Sequence, residues 1–197
     1  MKKELLFAFG IATLGLSSCA ETPKEYVDLG LPSGTLWATC NIGATKPEES
    51  GFYFAWGETM PKKIYDWSTY TWTKLNSEGD IDSLIRYNFN KAYGVVDSIS
   101  TLSPEDDAAI VNLGKDWRMP TKEEIVELYE NCKYCWTEIN GVSGAKFTSS
   151  NGNSIFLPAA GTQESFVYDE GNVGYCWTAS FDGDTAAYVL YFYFHSD

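Results

Sequence analysis

The side chains able to do chemistry are few, and their placement argues against catalysis. The single histidine, His195, is third from the end of the 197-residue chain, a frayed position on which neither a Ser-His-Asp nor a Cys-His site is readily built. Cys132 and Cys135 form a Cys-x-x-Cys pair, but at the C-terminal end of a predicted helix, where the dipole disfavours a thiolate. A zinc site would have to recruit distant Cys40 and Cys176, without a second such pair in support. Glu123, Glu124, Glu127 and Glu130 fall away from Ile125 and Leu128 on that helix, the pattern of a solvated face rather than of an acid/base pair. Asp182-Gly183-Asp184, and Asp80 with Asp82, lack the spacing of an EF-hand loop and read as acidic turns. The expectation is no catalytic residue, no metal and no cofactor.

One pattern suits recognition. Tyr65, Trp67, Tyr70 and Trp72 alternate with polar residues in a stretch without sustained periodicity. Flat aromatic rings on a loop either pack it onto the domain or serve sugar stacking and protein hot spots. On the second reading these four are the candidate ligand-binding residues.

The elements that must position them divide into strands, two helices and strands again. Tyr26–Leu29 and Thr35–Thr39 read as a hairpin around Gly30, Pro32 and Gly34, and Phe52–Trp56 as a buried strand bounded by glycines. Residues 57–102 form a long loop region with fragments of structure. Ser103 as N-cap, Pro104 and the acidic 105–107 turn then start a helix that Gly114 ends. Pro120 forces a corner, and Thr121 with Glu124 forms a capping box for a second helix whose core face is Ile125, Leu128 and Tyr129. Ala145–Thr148 and Ser154–Leu157 flank an Asn-Gly turn, and Tyr175–Ala179 and Ala187–Phe194 complete the strands, the last apolar or aromatic on both faces. This order defines an α+β domain.

Composition bounds the partners. With 44% hydrophobic and 16% aromatic residues the chain can bury a core, and a formal charge of -13 argues against nucleic acid and against electrostatic docking on anionic lipid. Lys2 and Lys3 precede an apolar run, Leu5–Leu16, too short to span a bilayer and shaped like a signal-peptide core. It ends in Leu16-Ser17-Ser18-Cys19, which resembles the lipobox of bacterial lipoproteins and implies an acylated Cys19. The expected organisation is a signal peptide over 1–18, a lipidated tether over 19–25 and one domain over 26–197, lipid-anchored in the outer membrane on its periplasmic or outer face.

Five motifs in order, YVDLGLPSGTLWATCNIGA, GFYFAWGET, LSPEDDAAIVNLGKDWRMPTKEEIVELY, NSIFLPAAG and YCWTAS, resemble the Fibrobacter succinogenes major paralogous domain family of Bacteroides-like surface lipoproteins. The resemblance runs from Tyr26 to about Phe194 and implies a C-type lectin-like fold with two helices beside twisted antiparallel sheets. The Trp117–Tyr129 corner is also similar to that of formylglycine-generating enzymes, but their Arg-Gly-Gly-Ser-Trp run is missing, so that activity does not carry over. With Cys19 lipidated, four cysteines remain and three pairings are open; comparison with the family favours Cys40 with Cys132 and Cys135 with Cys176. Family members continue to a further strand, and its loss here predicts an open edge at Tyr26–Leu29 that promotes self-association. The implied function is a non-enzymatic, lipid-anchored envelope domain that binds a carbohydrate or a protein through residues 57–102. The rivals are an envelope enzyme acting on glycans or on a protein partner, and a structural subunit of a surface assembly.

Overall fold

The computed structural model describes residues 25–181 and 187–194 and has an α+β architecture of small antiparallel sheets around two helices. Strand β1 (Tyr26–Asp28) pairs with β2 (Leu36–Ala38), as the hairpin reading requires. Gly30 and Gly34, at φ 63° and 74°, supply the left-handed backbone that the intervening turn needs. Phe52–Trp56, by contrast, forms no strand.

The 57–102 region contains a short hairpin, β3 (Thr73–Leu75) with β4 (Ile81–Leu84), and one 3-10 turn at Lys91–Tyr93. It also builds a core of its own. Trp56, Tyr87, Leu102 and Ala179 are buried together, with Trp72, Ile99, Met119 and Phe181 packed around them. Arg86 fastens this layer to the turn that precedes the first helix. Its Nε lies 2.8 Å from Asp106 Oδ2, and its guanidinium rests over the Trp72 and Tyr87 rings.

The first helix is shorter than its sequence suggests. Pro104–Asp106 is a separate 3-10 turn, and α1 covers only Ala108–Leu113. The expected N-cap, Ser103, makes no capping bond; its hydroxyl instead accepts from Arg86. The true cap is Asp107, whose Oδ1 accepts from the Ala109 and Ile110 amides at 2.8 and 3.1 Å. The same buried carboxylate takes the Met119 amide at 3.0 Å, so one side chain starts α1 and also sets the corner into α2 (Lys122–Asn131). In α2 the Thr121–Glu124 capping box is present, with Ile125 and Leu128 buried. Tyr129 remains half-exposed, its ring edge-on to Phe147.

The helix's acidic side is not the solvated face its pattern suggested. Glu124 is only 8% exposed, held bidentately by Arg118 and joined by Thr35 Oγ1 at 2.7 Å. Glu127 accepts from the Ser33 amide and hydroxyl at 2.8 and 2.6 Å. Both carboxylates therefore reach the β1–β2 turn, a long-range contact that local periodicity does not register; Glu123 and Glu130 are exposed as expected.

Strands β5 (Cys132–Ile139), β6 (Val142–Ser149) and β7 (Ser154–Pro158) form one sheet in that order. The β5–β6 turn is Asn140-Gly141, both left-handed at φ 51° and 85°. A small hairpin, β8 (Thr162–Gln163) with β9 (Val167–Tyr168), precedes β10 (Val173–Phe181) and β11 (Ala187–Tyr193), which pair with each other. The main core joins Leu29, Ile125, Leu128, Phe147, Leu190 and Phe192. Phe192 lies across the strand from Gly174, where any Cβ would collide with its ring. The opposite face of this hairpin is open and carries a file of rings. Tyr175 and Tyr191 centroids are 4.8 Å apart, and Tyr191 and Tyr193 are stacked at 5.3 Å.

Among the described residues β1 pairs only with β2, and β11 only with β10. The edges are nevertheless covered in part. Asp28 O accepts from Asn151 Nδ2 and Asn153 Nδ2 at 3.0 and 2.7 Å, and Tyr191 O and Tyr193 O accept from the Tyr129 and Tyr134 hydroxyls at 3.0 and 2.7 Å. The bare edge expected at β1 is thus blunted by side chains. No helix among the described residues is long and apolar enough to cross a membrane. The leader, Cys19, Asp182-Gly183-Asp184 and His195 lie outside the described residues.

Candidate functional site

Residues 52–58 lack a strand partner because aromatic side chains take its place. Tyr65 Oη donates to Tyr53 O, Trp177 Nε1 to Phe54 O at 2.9 Å, Tyr70 Oη to Trp56 O at 2.9 Å and Trp72 Nε1 to Gly57 O at 3.1 Å. Four carbonyls of an irregular segment are thus satisfied by rings that also bury apolar surface. The segment's own rings reciprocate. Tyr53 Oη donates to Ala160 O at 2.6 Å, and Trp56 Nε1 to Thr178 O at 2.7 Å.

The four predicted ligand-binding aromatics therefore divide. Tyr65, Tyr70 and Trp72 hold the 52–58 segment, and each is at least partly buried. Burial, reinforced by the nearby Glu58 carboxylate, pushes the Tyr70 phenol far above its ordinary range, so it stays a proton donor. Trp67 is different. It is 59% exposed, meets Tyr70 edge-on at 5.7 Å, and uses only its backbone carbonyl, which accepts from Thr73 Oγ1.

The loop that carries Trp67 is tied to a second loop that sequence periodicity did not reveal. The Tyr65 amide donates to Glu164 O at 3.1 Å and so ties the 60–68 loop to the β8–β9 turn. The 60–68 loop exposes Met60, Ile64 and Trp67, and the β8–β9 hairpin exposes Phe166, at 73%, and Tyr168. Strands of two residues are too short for a period-2 pattern to show, so nothing in the sequence marked Phe166.

A cleft of about 580 Å³ opens between the 52–58 segment, α1, the 117–120 corner and β10. Tyr53 and Phe54 form one wall, Tyr175 and Trp177 another, and Trp37 and Leu190 also line it. The buried carboxylates on its lining are already paired, Glu124 with Arg118 and Glu58 with Lys62 at 2.8 Å. The Arg118 guanidinium holds the Glu124 carboxyl down at about 2.

Among the described residues Cys40, Cys132, Cys135 and Cys176 are free thiols in this structure, and neither Cys40–Cys132 nor Cys135–Cys176 is joined. Strand geometry supplies the reason. Cys132 enters the main core, while Cys135, three residues along β5, points out to solvent; Cys176 packs inward against the same core. Cys40 Sγ is instead turned towards Ala44 O at 3.3 Å. Desolvation raises the Cys40 and Cys132 thiols and pushes Cys176 up to about 12, which makes these sulfurs poor nucleophiles. Asp82 lies 3.5 Å from Lys74 Nζ, and among the described residues no group of three His, Cys, Asp or Glu is placed to hold a metal ion.

Mixed architecture with an aromatic-walled cleft and an exposed apolar end describes a class of fold and surface, not a family. No family model, no curated protein and no solved structure matches this chain.

Proposed function

We propose that this chain is a non-enzymatic binding domain with a C-type lectin-like fold, held at the outer membrane by a lipid on Cys19, and that it engages a protein ligand through the surface around Trp67. The observation that carries this reading is the division of labour among the loop aromatics. Three are consumed in holding the chain, while Trp67 stands out to solvent on a loop that also exposes Met60 and Ile64 and is tied by the Tyr65 amide to the turn that exposes Phe166. Aromatic residues and methionine are what protein-interface cores enrich. A neutral carbohydrate is the second reading, favoured by the open indole of Trp67 flanked by the polar Asp66 and Ser68.

Arrays of extracellular proteins and of glycans, probed with wild type and with Trp67→Ala/Phe166→Ser, test both readings. The expected result is a protein ligand lost in the variant at unchanged melting temperature. Glycan binding with the same loss selects the second reading, and binding untouched by the substitutions sinks both. For the anchor, Cys19→Ala is expected to move the protein from the membrane fraction to the soluble one; continued retention contradicts it.

A further inference from the structure

Two Asn-Gly pairs, 140–141 and 151–152, make turns in this chain. Asparagine followed by glycine is open to cyclisation, because the glycine has no side chain to obstruct the attack of its amide nitrogen on the asparagine Cγ. Both pairs are exposed, so access to water does not separate them. Hydrogen bonding does.

Asn151, in the β6–β7 turn, is held at both side-chain polar atoms. Its Oδ1 accepts from the Ser149 hydroxyl at 2.6 Å and from the Asn153 amide at 2.8 Å, and its Nδ2 donates to Asp28 O at 3.0 Å. The attacking group, the Gly152 amide, is itself engaged and donates to Ser149 O at 3.1 Å. The side chain also packs on the β1–β2 turn, where a Cβ on Gly30 would lie 3.1 Å from Nδ2. Cyclisation at this turn has to give up these bonds. Asn140, in the β5–β6 turn, is held only through Nδ2, which donates to Glu48 Oε1 at 2.8 Å. Among the described residues neither Asn140 Oδ1 nor the Gly141 amide has a hydrogen-bond partner, and the space around Gly141 is open.

We infer that Asn140 is a site of spontaneous deamidation, which ages this protein selectively at the β5–β6 turn and there breaks the turn's tie to Glu48. The Gly141 nitrogen bonds to Asn140 Cγ while the Cγ–Nδ2 bond breaks, and Nδ2 leaves as ammonia with the proton that the Gly141 nitrogen gives up. Water then opens the succinimide ring, at Cγ to leave aspartate or at the Asn140 main-chain carbonyl to leave isoaspartate, and the new acid releases its proton to solvent. No electrons are gained or lost. Either product puts a carboxylate where a donor stood, facing Glu48, whose own carboxyl the Asn140 bond holds below its ordinary range. Like charges then replace a hydrogen bond. The 46–49 turn, closed by the Glu49 amide on Lys46 O at 3.2 Å, loses this hold on the β5–β6 tip.

The full-length chain, kept in mildly alkaline buffer and sampled by peptide mass mapping, provides the test. In the folded protein Asn140 is expected to convert at least about tenfold faster than Asn151. In urea, where both pairs lose their partners, the two rates are expected to agree within about threefold. Asn140→Asp keeps a turn-forming Asp-Gly pair, and ¹³C-detected titration is expected to place its Glu48 carboxyl at a higher pH than in wild type. Comparable rates at the two sites in the folded chain, a preference that persists undiminished in urea, or a Glu48 midpoint that does not rise in the variant each overturns the inference.

Discussion

Replacing Glu124 with Gln probes the most heavily used carboxylate in the structure. Glu124 closes the α2 capping box, pairs bidentately with Arg118 and accepts from Thr35, so it joins the corner, the helix start and the β1–β2 turn. Its carboxyl is held at about 2 instead of 4.5, chiefly by the bonds from Arg118, with the Thr121 amide and Thr35 hydroxyl also lowering it against desolvation. A shift of that size corresponds to about 3 kcal/mol of linkage. The Arg118 side chain is half-exposed, so solvent screens part of the pair, and a net contribution of about 2 kcal/mol is the expectation. Because the folded value lies below the unfolded one, this stability is present above pH 4.5 and is lost as pH falls from 4.5 towards 2. At pH 7 Glu124→Gln should therefore lower stability by about 2 kcal/mol, or the melting temperature by about 4–8 °C. Urea unfolding of both proteins from pH 7 to pH 2.5 is the assay. The gap between them should narrow on acidification, since protonated Glu124 resembles the amide, while other titrating carboxylates cancel in the difference. A gap under about 0.5 kcal/mol at pH 7, or one that stays constant down to pH 2.5, would refute the reasoning.

Asp107→Ala removes the α1 cap and the acceptor of the part-buried Met119 amide together, and a loss of about 2–3 kcal/mol in urea unfolding is expected. Tyr70→Phe leaves the Trp56 carbonyl unpaired and should destabilise by about 1–3 kcal/mol, whereas Trp67→Ala should change stability by less than about 0.5 kcal/mol; the two melting curves decide whether these neighbouring rings serve different ends. Under native conditions a thiol reagent should label Cys135 first and Cys176 last, and denatured, unreduced protein should yield four reactive thiols in the domain; a blocked pair there contradicts the free-thiol structure.

Local chemistry was legible where it acts within a few residues. The capping box at Thr121, the β1–β2 hairpin and the Asn-Gly turn between β6 and β7 all follow from neighbours in sequence. The second Asn-Gly, at 140–141, carried the same signal for the β5–β6 hairpin and could have been read the same way. What escaped is long-range: Asp107 as the cap because it also serves Met119, Glu124 buried by an arginine and a threonine 89 positions away, and Phe52–Trp56 left out of any sheet. In the aromatic loop the pattern could not tell the rings that bond to main-chain carbonyls from the one that faces solvent. That distinction lies in the partner strand and segment, not in the spacing of the rings themselves.

The 52–58 segment is grasped by its carbonyl oxygens, and a carbonyl is the same whatever residue bears it. Side-chain identity at positions such as Phe52 and Phe54 is therefore uncoupled from how the segment is anchored, unlike a packed strand, where each exchange disturbs its neighbours. Descendants or engineered variants can change Phe52 and Phe54 while the rings at 65, 70, 72 and 177 keep the backbone in place. Diversity at these two positions can then accumulate on a scaffold that does not change, with Gly57 as the fixed point. Its φ of 74°, close to the Trp72 indole, leaves it least free to vary.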